Sequence, residues 1–304
     1  MNLINCLKKF LKDPDARFDY LSKIGVFNFM DDEKYLKKKY FLKMGRELNL
    51  EKPVTFNEKM QWLKIHDRKD IYTTMVDKYE AKKYVADRIG KEHIIPTLGL
   101  YNKFDDIDFD KLPSQFVIKC THDSGGLVIC KDKNKFDRRL AKKKIKKSLR
   151  KNYYYTHREW PYKNVKPRII VEKYMENKKD GELRDYKLFC FDGKFKVMFI
   201  ATNRQGVGDT YFDFFDNKFK HLLFTNGHPN APVLPHKPEN FDEMIDLAEK
   251  LSQNIPQVRV DFYDIDGKLY FGEMTFFHWS GFVPFEPEKW DKKLGDLIDL
   301  NKIV

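Results

Sequence analysis

The sequence predicts a mixed α+β fold in one compact unit, and three observations carry that prediction. Two hairpins are written into the residue pattern, one joining 185–191 to 194–201 through Asp192-Gly193 and one joining 257–263 to 268–273 through Asp266-Gly267. An Asp-Gly pair between β-rich runs is a strong hairpin signal. The apolar run Phe116-Val117-Ile118-Lys119-Cys120 stops at Thr121-His122-Asp123-Ser124-Gly125-Gly126 and resumes as Leu127-Val128-Ile129-Cys130. That pattern reads as strand, glycine loop, strand. Helical periodicity fills the intervals, with no internal repeat and no low-complexity linker.

Along the chain, the first segment, up to about residue 50, sets Leu3, Leu7, Phe10, Leu11, Leu36, Tyr40, Phe41, Met44 and Leu48 at helical spacing among many lysines. This is the signature of amphipathic surface helices, a helical preface. Pro53 marks a turn, and Thr55 with Glu58 three residues on forms a capping-box pattern that opens a helix over 56–66. A further helix covers 78–89 and stops at Gly90. After the glycine loop, residues 135–151 read as a very basic helix and 168–173 as a buried strand. A loop rich in Asn, Pro and His leads to a helix near 240–253, before the last hairpin.

With 304 residues and 41% hydrophobic content the chain can bury a substantial core. Its net charge of +12 calls for an anionic partner: nucleotide, phosphorylated substrate, nucleic acid or membrane surface. Cys6, Cys120, Cys130 and Cys190 form no C-x-x-C pair, so neither a zinc knuckle nor a disulfide framework is indicated. No uninterrupted apolar run approaches the ~20 residues that span a bilayer. The expectation is a soluble cytoplasmic protein with no transmembrane segment, peripheral membrane contact being left open.

The chemistry concentrates in two places. Lys119 ends an apolar strand just before Ser124, Gly125 and Gly126, so its ammonium can meet phosphate oxygens that backbone amides also approach. Neither G-x-x-x-x-G-K-[ST] nor G-x-G-x-x-G is present, which argues against a P-loop or Rossmann site. The second place is Arg259-Val260-Asp261-Phe262, facing Gly272-Glu273-Met274-Thr275 across the last hairpin. A strict two-residue loop would put Asp261 and Glu273 on opposite faces. A three-residue loop, Ile265-Asp266-Gly267 with Gly267 left-handed, puts them on one face, and this is the expected geometry. Two carboxylates and the Thr275 hydroxyl would then suit Mg2+, with Arg259 as neutraliser and phosphate ligand. Between the two places, alternation sets Glu182, Arg184 and Tyr186 on one side of a strand and Asp185 and Lys187 on the other.

The order Asp77-Lys78, FVIK with its glycine loop, IIVEKYM, GELRDYK, RVDF and GEMTF resembles the ATP-grasp enzymes. Phrases such as PVTFNEKMQWLK, VDKYEAKKYV and GEMTFFHWSGF are similar to the TupA-like ATP-grasp family in particular, from about Glu51 onward. The resemblance implies an ATP-grasp fold, two α+β subdomains sandwiching the nucleotide, with residues 1–70 as an N-terminal helical extension and 71–304 as the ATP-grasp domain. Its lid would cover about 77–171 and its metal-binding subdomain about 172–304. It implies that Lys78 and Lys119 bind ATP and that the loop with His122, Ser124, Gly125 and Gly126 closes over the phosphates. Glu172, Lys173, Tyr174 and Met175 would line the adenine and Glu182 the ribose. Asp261, Glu273 and Thr275 would hold Mg2+, although many members carry asparagine at the Thr275 position. Lys187 and Arg259 would attend the transferred phosphate, and His278 with Trp279, Ser280 and Gly281 would lie at the acceptor side.

The implied activity is ATP-dependent coupling of a small-molecule carboxylate to an amine, either partner sugar-derived, in surface polysaccharide biosynthesis. Two rivals stay open at this point. One keeps the nucleotide site but makes the enzyme a kinase or glycosyltransferase-like enzyme of the same pathway. The other makes the basic segment 135–151 a nucleic-acid or membrane-surface binder, which leaves the carboxylate hairpin unexplained. No specific nucleic-acid partner is expected.

Overall fold

The computed structural model describes residues 12–177, 183–203 and 208–303. Leu3, Leu7, Phe10, Leu11 and Glu182 therefore lie outside the described residues. The helices are α1 Pro14–Lys23, α2 Asp32–Met44, α3 Phe56–His66, α4 Ile71–Val76, α5 Glu80–Ile89, α6 Arg138–Leu149, α7 Tyr154–His157, α8 Phe241–Leu251 and α9 Lys289–Gly295. The strands are β1 Thr97–Tyr101, β2 Phe116–Cys120, β3 Leu127–Cys130, β4 Ile169–Lys173, β5 Asp185–Phe191, β6 Lys194–Thr202, β7 Tyr211–Asp216, β8 His221–Leu222, β9 Gln257–Ile265 and β10 Lys268–Thr275.

Local chemistry sets the ends. The Thr55/Glu58 capping box is present at α3. Helix α5 begins at Glu80, two residues later than its periodicity suggests, because the Asp77 carboxylate accepts from the Tyr79 and Glu80 amides. The basic helix α6 is shorter than expected, since Asp137 caps it by accepting from Arg139 and Leu140. A 3-10 turn over Lys133–Lys135 takes up the chain before it.

The strands form two antiparallel sheets, β1-β4-β2-β3 and β10-β9-β5-β6-β7-β8. The change of sheet falls between Lys173 and Asp185, so Glu172 belongs to the first. Helix α6 covers the four-stranded sheet through Ala141 and Ile145, which join Phe116, Ile118 and Val171 in one apolar cluster. The larger core joins the six-stranded sheet to α3, α4, α5 and α8 through Phe56, Met60, Tyr72, Val85, Met244 and Leu251. These helices are thus part of the main core. Helices α1 and α2 close a smaller cluster of Phe18, Tyr35, Leu36, Tyr40, Leu48 and Phe282.

Both Asp-Gly loops are two-residue turns with positive φ at each position: 50° and 72° at Asp192 and Gly193, 53° and 81° at Asp266 and Gly267. The last hairpin therefore corrects the expected turn. Ile265 pairs with Lys268, the strict two-residue arrangement, and continued without a break it would set Glu273 on the face opposite Asp261. The register instead shifts between Phe271 and Glu273, so that Asp261 pairs with Glu273 and Arg259 with Thr275. A bulge at Gly272 does what the longer turn was expected to do. A Cβ there would lie 3.1 Å from the Asp261 carbonyl oxygen, which leaves little room for any other residue.

Helix α9 meets the start of α3 at backbone distance. A Cβ on Gly295 would lie 2.4 Å from the Val54 carbonyl and 2.7 Å from the Phe56 amide nitrogen. Gly295→Ala should lower stability by about 1–3 kcal/mol through overpacking. The reading is a lower urea midpoint with unchanged slope, and an unchanged midpoint would contradict this packing.

Candidate active site

Strand β5 is buried at every residue, although it begins Asp185-Tyr186-Lys187. Charges in a central strand are tolerable only when paired, and here they are. Lys187 bonds Asp185 at 2.8 Å and also bonds Asp261 on the neighbouring strand β9. Arg259, one pleat along β9, clamps Asp261 through Nε at 2.7 Å and Nη2 at 2.8 Å. The same Nη2 reaches Thr275 at 2.9 Å and Glu273 at 3.3 Å on β10. Burial opposes the charge of Asp261, but Arg259 and Lys187 overcome it and hold the carboxyl below its ordinary range.

The other wall comes from the four-stranded sheet and the start of α5. Lys119 at the end of β2 bonds Glu172 of β4 at 2.6 Å, and Lys82 of α5 bonds the other oxygen of the same carboxylate. Burial works against Glu172, and the two ammonium groups more than compensate, lowering its pKa. Lys78 ties down the glycine loop, its amide donating to Thr121 O at 3.1 Å and its Nζ to Asp123 O at 2.5 Å. Asp123 then accepts from the Gly126 amide at 3.0 Å and from the Ser148 hydroxyl.

The two walls face one cavity of about 240 Å3, lined by Lys78, Lys82, Lys119, Asp123, Ser124, Gly126, Glu172, Asp185, Lys187, Asp261 and Glu273. Their charge balance differs. Lys82 and Lys119 share one carboxylate, a surplus of positive charge beside the loop. On the sheet wall the carboxylates of Asp185, Asp261 and Glu273 predominate, with Lys187 and Arg259 among them. Glu273 is 45% exposed and both its bonds go to one oxygen, Oε1.

The sequence matches the TupA-like ATP-grasp family over residues 58–299. The chain belongs to that family, and its fold is the ATP-grasp fold. No curated protein matches it by sequence. Among similar solved structures is the D-alanine–D-alanine ligase of Bacillus anthracis complexed with ATP, at 17% identity and TM-score 0.37, matched over 67% of this chain and 54% of that one. The D-alanine–D-alanine ligase from Helicobacter pylori is 16% identical with TM-score 0.38, over 75% and 60% of the two chains. The ATP-grasp ligase PsnB, complexed with a phosphomimetic variant of its minimal precursor, Mg and ADP, is 8% identical with TM-score 0.39, over 69% and 52%. The chain thus spans between 52% and 60% of the length of these structures.

Eight residues singled out from sequence line the cavity: Lys78, Lys119, Ser124, Gly126, Glu172, Lys187, Asp261 and Glu273. Others stand behind it. Arg259 is buried beneath the carboxylates, and Thr275 donates to Glu273 at 3.0 Å, fixing that side chain. His278 accepts from Arg259 Nη1 through Nδ1 at 2.7 Å and donates from Nε2 to Asn226 at 2.9 Å. Burial and then the Arg259 charge push its pKa well below normal. Its Nδ1 lone pair is engaged by Arg259, and through that bond the imidazole orients the guanidinium. His122 donates to the Ser148 and Lys151 carbonyls at the end of α6, anchoring the loop from behind. Lys173 points away from the cavity by strand alternation and is exposed, while Gly125, Tyr174 and Met175 lie off its lining.

Sequence reading missed Lys82, Asp123 and Asp185 as members of the site. Lys82 lies one helical turn after Lys78, and Asp185 shares the strand face of Lys187, so both carried a usable signal. Asp123 is identifiable only from its contacts.

For Mg2+, the donor set is of the right kind, hard carboxylate oxygens gathered on one wall. Among the described residues no three His, Cys, Asp or Glu side chains gather into a self-sufficient metal cage. Phosphate oxygens would have to complete such a site, as is usual for Mg2+.

Glu172 is titrated downward in the folded protein, so its contribution is present above the unfolded carboxylate pKa and is lost as pH falls through the lower folded value. Glu172→Gln should cost on the order of 3 kcal/mol at neutral pH by leaving two lysines unpaired. It should also flatten the loss of stability below about pH 4.5, where free glutamate titrates. Urea midpoints measured across pH test both; an acid limb as steep as wild type would contradict the assignment.

Proposed function

We propose that the chain is an ATP-dependent carboxylate–amine ligase of the cytoplasm that forms an amide through an acyl phosphate, in capsular or other surface polysaccharide biosynthesis. The carrying observation is the single cavity with a cationic glycine-loop wall on one side and a carboxylate wall on the other. Such a cavity matches a magnesium nucleotide in charge and sign.

In this reading Lys78, Lys119 and the loop at Ser124, Gly125 and Gly126 receive the phosphates, the Gly126 amide being held by Asp123. The segment from Glu172 to Met175 is assigned to the adenine by family correspondence alone, while Glu172 itself holds Lys82 and Lys119 in place. Glu182 is assigned to the ribose by family correspondence alone. Mg2+ held by Asp261 and Glu273, with Thr275 steadying Glu273, would neutralise the developing charge of phosphoryl transfer. Lys187 meets the transferred group, and Arg259 attends it from beneath by holding Asp261 and Glu273 in position. The substrate carboxylate oxygen attacks the γ-phosphorus and ADP leaves. The amine then attacks the acyl carbon and phosphate leaves. Closing the 121–126 loop excludes water that would otherwise hydrolyse the acyl phosphate.

A ring-shaped, sugar-derived acceptor is supported by Trp279. Its indole is 42% exposed yet fixed, stacked on Phe212 at 6.1 Å and donating from Nε1 to Asn226 O at 3.3 Å. Pairing of Asp185 with Ala201, and of Ala201 with Phe212, sets Phe212 two strands from Asp185 on the same sheet face. That separation is about 10 Å along the sheet.

Lys119→Ala and Glu273→Ala should each abolish ATP turnover, with far-ultraviolet circular dichroism unchanged; near-normal turnover in either would remove the site assignment. Incubation with Mg-ATP and a panel of uronic acids, sugar acids, amino acids and amines should release ADP together with a product whose mass equals acid plus amine minus water. A stable phosphorylated product and no amide would instead mark a kinase.

A further inference from the structure

Helix α6 presents an unusual surface that the nucleotide site does not use. Its inner side, Ala141, Ile145 and Ser148, is buried against the four-stranded sheet. On one flank the cations are paired, Lys142 and Lys146 with Asp105 and Arg138 with Asp110. On the outer side Arg139, Lys143, Lys144, Lys147, Arg150 and Lys151 are exposed, and none has an ion pair among the described residues. At roughly 100° per residue the four on the helix itself, Arg139, Lys143, Lys144 and Lys147, fall within an arc of about 140°, and Arg150 and Lys151 follow at its end. The chain therefore concentrates uncompensated positive charge on one face instead of distributing it.

The same face carries aliphatic side chains. Leu140 lies within the arc and is 59% exposed. It borders a groove of about 700 Å3 whose floor is the edge strand β3, with Leu127 and Ile129 38% and 40% exposed and Lys131, Lys135 and Lys144 around them. Exposed leucine and isoleucine inside a ring of lysines suit a surface with anionic headgroups and acyl chains beneath. A nucleic-acid surface would be served better by aromatic or hydrogen-bonding side chains. Leu127 also lines the nucleotide cavity, so an object docked in the groove would lie against the end of the phosphate loop.

We propose that the outer face of α6 and the β3 edge dock the protein on an anionic lipid bilayer. Charge complementarity supplies most of the attraction and Leu140 reaches into the headgroup layer. Docking brings the mouth of the nucleotide cavity to the membrane surface, where a lipid-borne substrate would be presented.

The test is co-sedimentation of the full chain with vesicles of phosphatidylcholine alone or mixed with phosphatidylglycerol. Binding is expected only to the anionic vesicles and should fall steeply as salt rises from about 0.1 to about 0.5 M, where the screening length drops below ~5 Å. Lys143→Ala with Lys147→Ala should weaken partitioning about thirtyfold. Leu140→Ser, which removes the apolar side chain without changing charge, should weaken it further without altering the salt dependence. All three positions are exposed and outside the nucleotide cavity, so melting temperature and ATP turnover of the variants should match wild type. Equal binding to neutral vesicles, no binding to anionic ones, or a double variant that partitions like wild type overturns the proposal. Retention of duplex DNA or RNA without vesicle binding overturns it as well and assigns the face to nucleic acid.

Discussion

Arg259 is the group on which the sheet wall of the site depends. Its guanidinium is buried, which opposes its charge, yet Asp261, Glu273, Thr275 and His278 supply five hydrogen bonds around it and keep it firmly protonated. The planar fork of donors suits this position, because it can grip two carboxylates and a hydroxyl from two strands while also reaching an imidazole. Without it, Asp261 and Glu273 would face each other across a hairpin with only Lys187 to offset them, and like charges directly opposite destabilise a sheet. Arg259 and Lys187 thus let these carboxylates sit together in a buried sheet.

The opposite wall follows the same logic with the sign reversed. Glu172 is shared between Lys82 and Lys119, so one carboxylate organises two ammonium groups from a helix and a strand. The glycine loop between β2 and β3 is held from both sides. Lys78 binds its carbonyls in front, and His122 and Asp123 tie it to the end of α6 behind. Helix α6 thus supports the loop from its inner face and carries exposed cations on its outer one.

Much of this was legible in sequence because it is local. Capping at Thr55, the two Asp-Gly turns and the strand–loop–strand around Lys119 all follow from residues within a few positions of one another. Expected and observed limits of the elements differ by one to three residues, through caps such as Asp77 and Asp137. The helices α3 to α5 were harder. Their apolar stripes say that one face is buried but not against what, and the partner is a six-stranded sheet whose strands begin about a hundred residues later.

By itself the sequence determined the fold family, the residue types of the site and the two strands that bring Asp261 and Glu273 near each other. Which face those carboxylates share was decided by tertiary structure. The turn is the short one that separates them, and a bulge at Gly272, made where backbone approaches backbone, restores their common face. The partnership of Lys82 with Glu172, the burial of Asp185, and the commitment of His278 to Arg259 likewise depend on long-range register and packing. Charge pairing is set by distances of a few ångströms between elements far apart in the chain, and no local pattern encodes them.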